Sequence, residues 1–149
     1  QAMQHIETCL QLMPVDVNTP IDAVPLLRKA GMEKEAGELI RRAVAAQQEK
    51  CRLYPDSASM HNGLAWLLVR LRTDLDLALQ HALKAKELSP QSLAIADTLA
   101  EAYFQKGEKQ KAIALIDQCI RRQPDNLRHW QVRRRFETGT PDSDPAAEE

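Results

Sequence analysis

The sequence predicts an all-α chain built as a stack of antiparallel helix pairs, and three observations carry that prediction. Prolines mark a repeat: Pro55, Pro90 and Pro124 lie 35 and 34 residues apart, each followed by a polar pair, Asp56-Ser57, Gln91-Ser92 and Asp125-Asn126. Proline stops the helix before it and suits the first turn of the next, so this spacing divides a helical chain into equal units. Between the prolines, apolar residues recur at three- and four-residue intervals, the period of a helix face. Composition is the third observation: aromatics are 4% of the chain, glycines number five, and β-branched runs are absent. A core with few aromatics falls to Ala, Leu and Ile, which suits close helix packing, and the missing β-branched runs disfavour a sheet.

The clearest unit is 93–124, LAIADTLAEAYFQKGEKQKAIALIDQCIRRQP. Its first helix is expected over 92–105 and its second over 109–122, with Lys106-Gly107-Glu108 turning the chain and Gly107 free to take positive φ. Leu99, Ala100 and Tyr103 share a face of the first helix; Ala112, Ile116 and Cys119 share one on the second. Unit 58–90 repeats this with Leu64, Ala65 and Leu68, then Ala78, Ala82 and Ala85. Its one extra residue falls in the turn Leu71-Arg72-Thr73-Asp74, where insertions cost little.

The unit 93–124 resembles the tetratricopeptide repeat. Leu99, Ala100 and Tyr103 match that family's L-G/A-x-x-Y segment, Gly107 its turn, Ala112 its small residue, Ile116 its large apolar one and Pro124 its closing proline. Ala96 stands where the family often has Trp. The resemblance extends over residues 2–124 and implies a right-handed superhelical stack of antiparallel helix pairs, an α-solenoid closed by a C-terminal capping helix.

A degenerate unit is expected over 17–54, with Ala23, Val24 and Leu27 on its first helix, Gly31 at its turn, and Ala36, Ile40 and Ala43 on its second. Pro20 and Pro25 are expected to make the first of these helices short or irregular. Pro14 to Pro55 is 41 residues, one repeat plus seven, so the second helix should overshoot by about two turns, or about 10 Å. An apolar row runs into that extension through Ala43, Gln47, Cys51 and Tyr54. Ala2, Ile6, Cys9 and Pro14 reproduce the second half of a repeat, so residues 1–14 are expected to expose a face that preceding protein or a neighbouring copy covers. After Pro124, a capping helix is expected over 126–136, where Trp130 takes the repeat's Trp position but Arg133 and Arg134 break the pattern. The domain thus spans 1–136, and the acidic tail 137–149 is expected to be disordered.

Composition narrows the functional classes. The net charge of −1 suggests no general affinity for nucleic acid, and no apolar stretch approaches the roughly 20 residues that span a bilayer. Cys9, Cys51 and Cys119 are odd in number and far apart, which fits a reducing, cytoplasmic setting and gives no disulfide framework. His5, His61, His81 and His129 form no ligand pair on one helix and are expected at the surface. No metal, cofactor or catalytic constellation is expected, and the chain reads as a non-enzyme. The cluster Arg121, Arg122, Arg128, Arg133, Arg134 and Arg135 reads as a solvated helix face rather than a nucleic-acid surface.

In the family, first helices of successive repeats line a concave groove. The matching positions here are Asn62, Trp66, Val69 and Arg70 in one unit and Asp97, Glu101, Phe104 and Gln105 in the next. Trp66 and Phe104 would anchor apolar side chains, and Asn62 and Arg70 would bond a peptide backbone or carboxylate. Asp97 and Glu101 replace the basic clamp by which some relatives hold C-terminal carboxylates, which implies a basic or mixed protein or peptide partner. The expected function is a protein-binding scaffold. The alternative is a structural or oligomerisation arm of a larger protein.

Overall fold

The polar residue after each proline explains where the helices begin. In the computed structural model, which describes residues 17–139 together with Gln4, Ser57 caps a helix by accepting a hydrogen bond from the Met60 amide at 3.4 Å, and Ser92 does the same for Ile95 at 3.3 Å. Asn126 caps a third from Arg128 at 3.2 Å. Each side chain satisfies an amide that the first helical turn leaves without a partner. The seven helices of residues 17–139 are α1 (Asn18–Lys29), α2 (Glu33–Leu53), α3 (Ala58–Leu71), α4 (Leu75–Leu88), α5 (Leu93–Gln105), α6 (Lys109–Arg122) and α7 (Leu127–Thr138). No strand occurs among the described residues.

Two glycines turn the chain within a pair. Gly31 and Gly107 sit at φ 73° and 82°, where a side chain would be strained. Their hairpins close through Met32 N–H to Leu27 O at 2.9 Å and Glu108 N–H to Tyr103 O at 2.8 Å. The α3–α4 turn has no glycine. There Arg72 and Asp74 take positive φ, at 53° and 42°, and Asp74 recovers part of the cost by capping α4 through the Leu77 amide.

The core is made largely of small and aliphatic residues. Ala78, Ala82 and Ala85 of α4 are fully buried, as are Leu64, Ala65 and Leu67 of α3, so the two axes approach closely. α5 and α6 repeat the arrangement with Ala100, Ala112, Ile116 and Cys119. α3 also packs on α2 and α5, and α7 on α6, which gives an all-α solenoid in which each pair rests on its neighbours.

The first pair departs from expectation. α1 runs unbroken for 12 residues through Pro25. Pro20 lies in the first turn, where its missing N–H costs nothing. Pro25 is exposed, while Ile21, Ala23, Val24 and Leu27 are buried against α2 and α3, and that packing holds the helix across the lost bond. α2 has 21 residues, and its buried row runs Ala36, Leu39, Ala43, Gln47, Cys51. Tyr54 does not continue the row: it is the C-cap and 60% exposed. The half-repeat expected over 1–14 and the tail 140–149 lie outside the described residues.

Candidate binding cleft across the first helices

Three residues that sequence register places on successive first helices meet in one cleft. Asn62 and Trp66 of α3 and Asp97 of α5 line a depression of about 350 Å³ with Leu93, Thr98, Arg128 and His129. Trp66 is half-buried, and the Arg70 guanidinium lies 5.3 Å from its ring centroid. That cation–π contact favours the observed orientation of the indole. Arg70 itself is not among the residues lining the cleft.

The cleft holds polar groups at a cost. The Asn62 amide oxygen and His129 Nδ1 are buried without hydrogen-bond partners. Asp97 has a side chain only 16% exposed. Burial raises its carboxyl above the ordinary 3.8, against the pull of Arg128, His129 and Arg135 and with a further push from Glu101. Arg128 approaches it at 3.5 Å but is itself mostly in water, so it compensates weakly.

That shift makes a stability prediction. A carboxyl with a raised folded pKa binds its proton more tightly in the folded chain. Stability therefore falls as pH rises from 3.8 through the folded value, and the whole penalty is present at neutral pH. Asp97→Asn is expected to stabilise the chain at pH 7, with the advantage shrinking as the pH falls toward 3.8. Urea midpoints across that range measure it; an Asn variant less stable than the parent at pH 7 would refute the assignment.

The other expected groove residues lie elsewhere. Val69, Glu101, Phe104 and Gln105 are buried, between 0% and 7% exposed, and so face protein rather than an open groove. Phe104 stacks on Phe136 of α7, centroids 4.6 Å apart. Glu101 forms an ion pair with Arg135 of α7 and accepts from Gln105 Nε2 at 2.9 Å, while the same nitrogen reaches Val69 O at 3.2 Å. For Glu101 and Phe104 the cause is α7, which arrives one repeat later and covers this part of α5; Val69 is buried in a cluster with Leu64, Leu68 and Ala102.

Sequence reasoning missed several groups. Arg128 and His129 join the cleft from α7, and their polarity next to a capping residue gives no signal of that. The histidines expected at the surface are partly inside: His61 is 8% and His129 6% exposed. His61 Nδ1 also lies 2.7 Å from His81 Nδ1, across the α3–α4 hairpin. Burial and then the neighbouring His61 lower the His81 pKa, and burial raises that of the nearby Cys51 thiol.

An array of helix hairpins with a side-chain cleft on its first helices defines a helical-repeat protein. Residues 95–126 match the family model described as tetratricopeptide repeat. A thermophilic tetratricopeptide-repeat protein of Thermus thermophilus shares the fold, with a TM-score of 0.64 and 20% identity over 92% of this chain and 70% of that one. No curated protein matches. Such repeats generally mediate protein–protein interaction and typically form non-catalytic scaffolds. No helix among the described residues is long and apolar enough to cross a membrane.

Proposed function

We propose that the chain is a non-catalytic interaction module that holds a peptide segment of a protein partner in the cleft between α3, α5 and the start of α7. The observation that carries this reading is a set of polar groups left without a full complement of partners: the unpartnered Asn62 oxygen and His129 Nδ1, and the desolvated Asp97 carboxylate, which Arg128 pairs only weakly. Each costs stability in the free chain, and an incoming backbone N–H or a cationic side chain supplies what each lacks. Trp66, with Arg70 over its ring, offers the apolar surface beside them. The partner this fits is an extended peptide with an apolar side chain next to Lys or Arg.

A peptide library displayed against the full chain tests the reading. Selected peptides are expected to combine an apolar and a basic residue. Trp66→Ala should weaken them by at least about 30-fold, the scale of an aromatic hot spot. Asp97→Lys should remove the basic preference. Glu101→Lys is unsuitable because that carboxylate is buried and paired. Selected peptides that bind both variants as well as the parent would place the site elsewhere.

A further inference from the structure

We propose that Cys51, His61 and His81 form a binding site for a thiophilic divalent cation of the zinc class, clamped between α2, α3 and α4. One ligand atom from each of these three residues lies within 4.8 Å of the other two. They come from three different helices, so the fold gathers them.

Hydrogen bonding sets the tautomer that such a site requires. His61 Nε2 lies 2.9 Å from the Pro55 carbonyl oxygen, which only accepts, so the ring proton sits on Nε2. The opposite nitrogen, Nδ1, then carries a lone pair and faces His81 Nδ1 at 2.7 Å. A carbonyl holding the far N–H of an imidazole is the usual support of a metal-bound histidine. Without an ion, the His81 Nδ1–H donates to His61.

The dimensions fit an ion after small torsional changes. Tetrahedral zinc, with bonds of about 2.0–2.1 Å to nitrogen and 2.3 Å to sulfur, sets its donors roughly 3.3–3.6 Å apart. The two ring nitrogens need to part by about 0.6 Å, and a sulfur at the 4.8 Å limit needs to close by about 1.2 Å. One thiolate and two imidazoles suit zinc-like ions, whereas magnesium and calcium require oxygen donors. A cleft of about 370 Å³ lined by Gln80, Leu83, Lys84 and Glu87 opens on both histidines and leaves room for water as fourth ligand.

The bonds balance without redox chemistry. The Cys51 thiol gives its proton to water, His81 moves its ring proton from Nδ1 to Nε2 through solvent, and each donor contributes one lone pair. Binding releases one proton per ion. The site also gives the α2 extension a task, since Cys51 lies in it and would be tied to the α3–α4 hairpin.

Titration of the reduced full chain with Co²⁺ tests this. One ion per chain is expected, with visible absorption of tetrahedral Co²⁺ and a thiolate-to-metal charge-transfer band, both abolished by excess Zn²⁺. Cys51→Ser should remove the charge-transfer band, and Cys119→Ser should keep it. His81→Asn, at a half-buried position, should lower affinity by at least about 100-fold, beyond the loss of a supporting hydrogen bond. Circular dichroism checks that each variant folds. No charge-transfer band in the parent, a band that survives Cys51→Ser, or unchanged affinity in His81→Asn overturns the proposal.

Discussion

Replacing Arg135 by methionine is expected to destabilise the chain by about 3–5 kcal/mol, the cost of leaving one member of a buried ion pair alone. Arg135 and Glu101 are each 5% exposed and paired. The guanidinium lies 5.1 Å from the ring centroids of both Phe104 and Phe136, so it is also packed between aromatics. Methionine fills much of that space but supplies no charge, and Glu101 is left with the Gln105 amide. Burying two charges is itself expensive, so the intact pair contributes far less than its loss costs. The double variant Arg135→Met, Glu101→Leu should therefore recover most of the deficit, which the mutant cycle reads as a strong coupling between the two positions. Urea denaturation of the four chains measures this. A single Arg135→Met variant within about 1 kcal/mol of the parent would show that the pair is solvated in solution.

This pair also marks the boundary of what sequence made legible. The repeat could be read because its signals are local: a capping Ser or Asn two residues after each proline, a glycine at two of three hairpin turns, and alanines where axes approach. Asn62, Trp66 and Asp97 could be placed on one face because helix register fixes direction. Register does not say what covers that face. Glu101 and Phe104 hold equivalent positions yet are buried, because α7 lies over them. Trp130, by contrast, stands where the repeat's Trp is expected but is 48% exposed, with its indole N–H on the Pro124 carbonyl at 2.9 Å. The arginine cluster shows the same gap. Arg128, Arg133 and Arg135 pair with Asp97, Asp117 and Glu101, and Arg122 donates to the Gln91 carbonyl, so much of an apparent basic patch is taken up by contacts within the chain. His61 and His81 are 20 residues apart and Cys51 stands ten before the first, spacings that carry no ligand signature because only tertiary packing brings three helices together.

Phe136→Ala is the second large effect, and its distribution along the chain is as informative as its size. The ring is fully buried, stacked on Phe104 and packed in a cluster with Ala100, Ile116 and Val132. Truncation of such a phenylalanine costs about 3–5 kcal/mol through lost burial and the cavity left behind. Trp130→Ala, on the same helix but half in water, should cost no more than about 1 kcal/mol. In a solenoid each unit touches only its neighbours, so damage should stay local. Amide exchange in Phe136→Ala is expected to accelerate through α7 and the facing part of α5 and α6, while α3 and α4 keep their protection. That pattern would mean that α7 completes the last pair rather than supporting the whole stack. Equal acceleration through α3 and α4 would contradict it and show one cooperative unit. Freed from α7, the buried Phe104 and Glu101 would reach solvent on the side of α5 that carries Asp97. A peptide that binds the variant more tightly than the parent would show that the capping helix limits how much of the first-helix face is open.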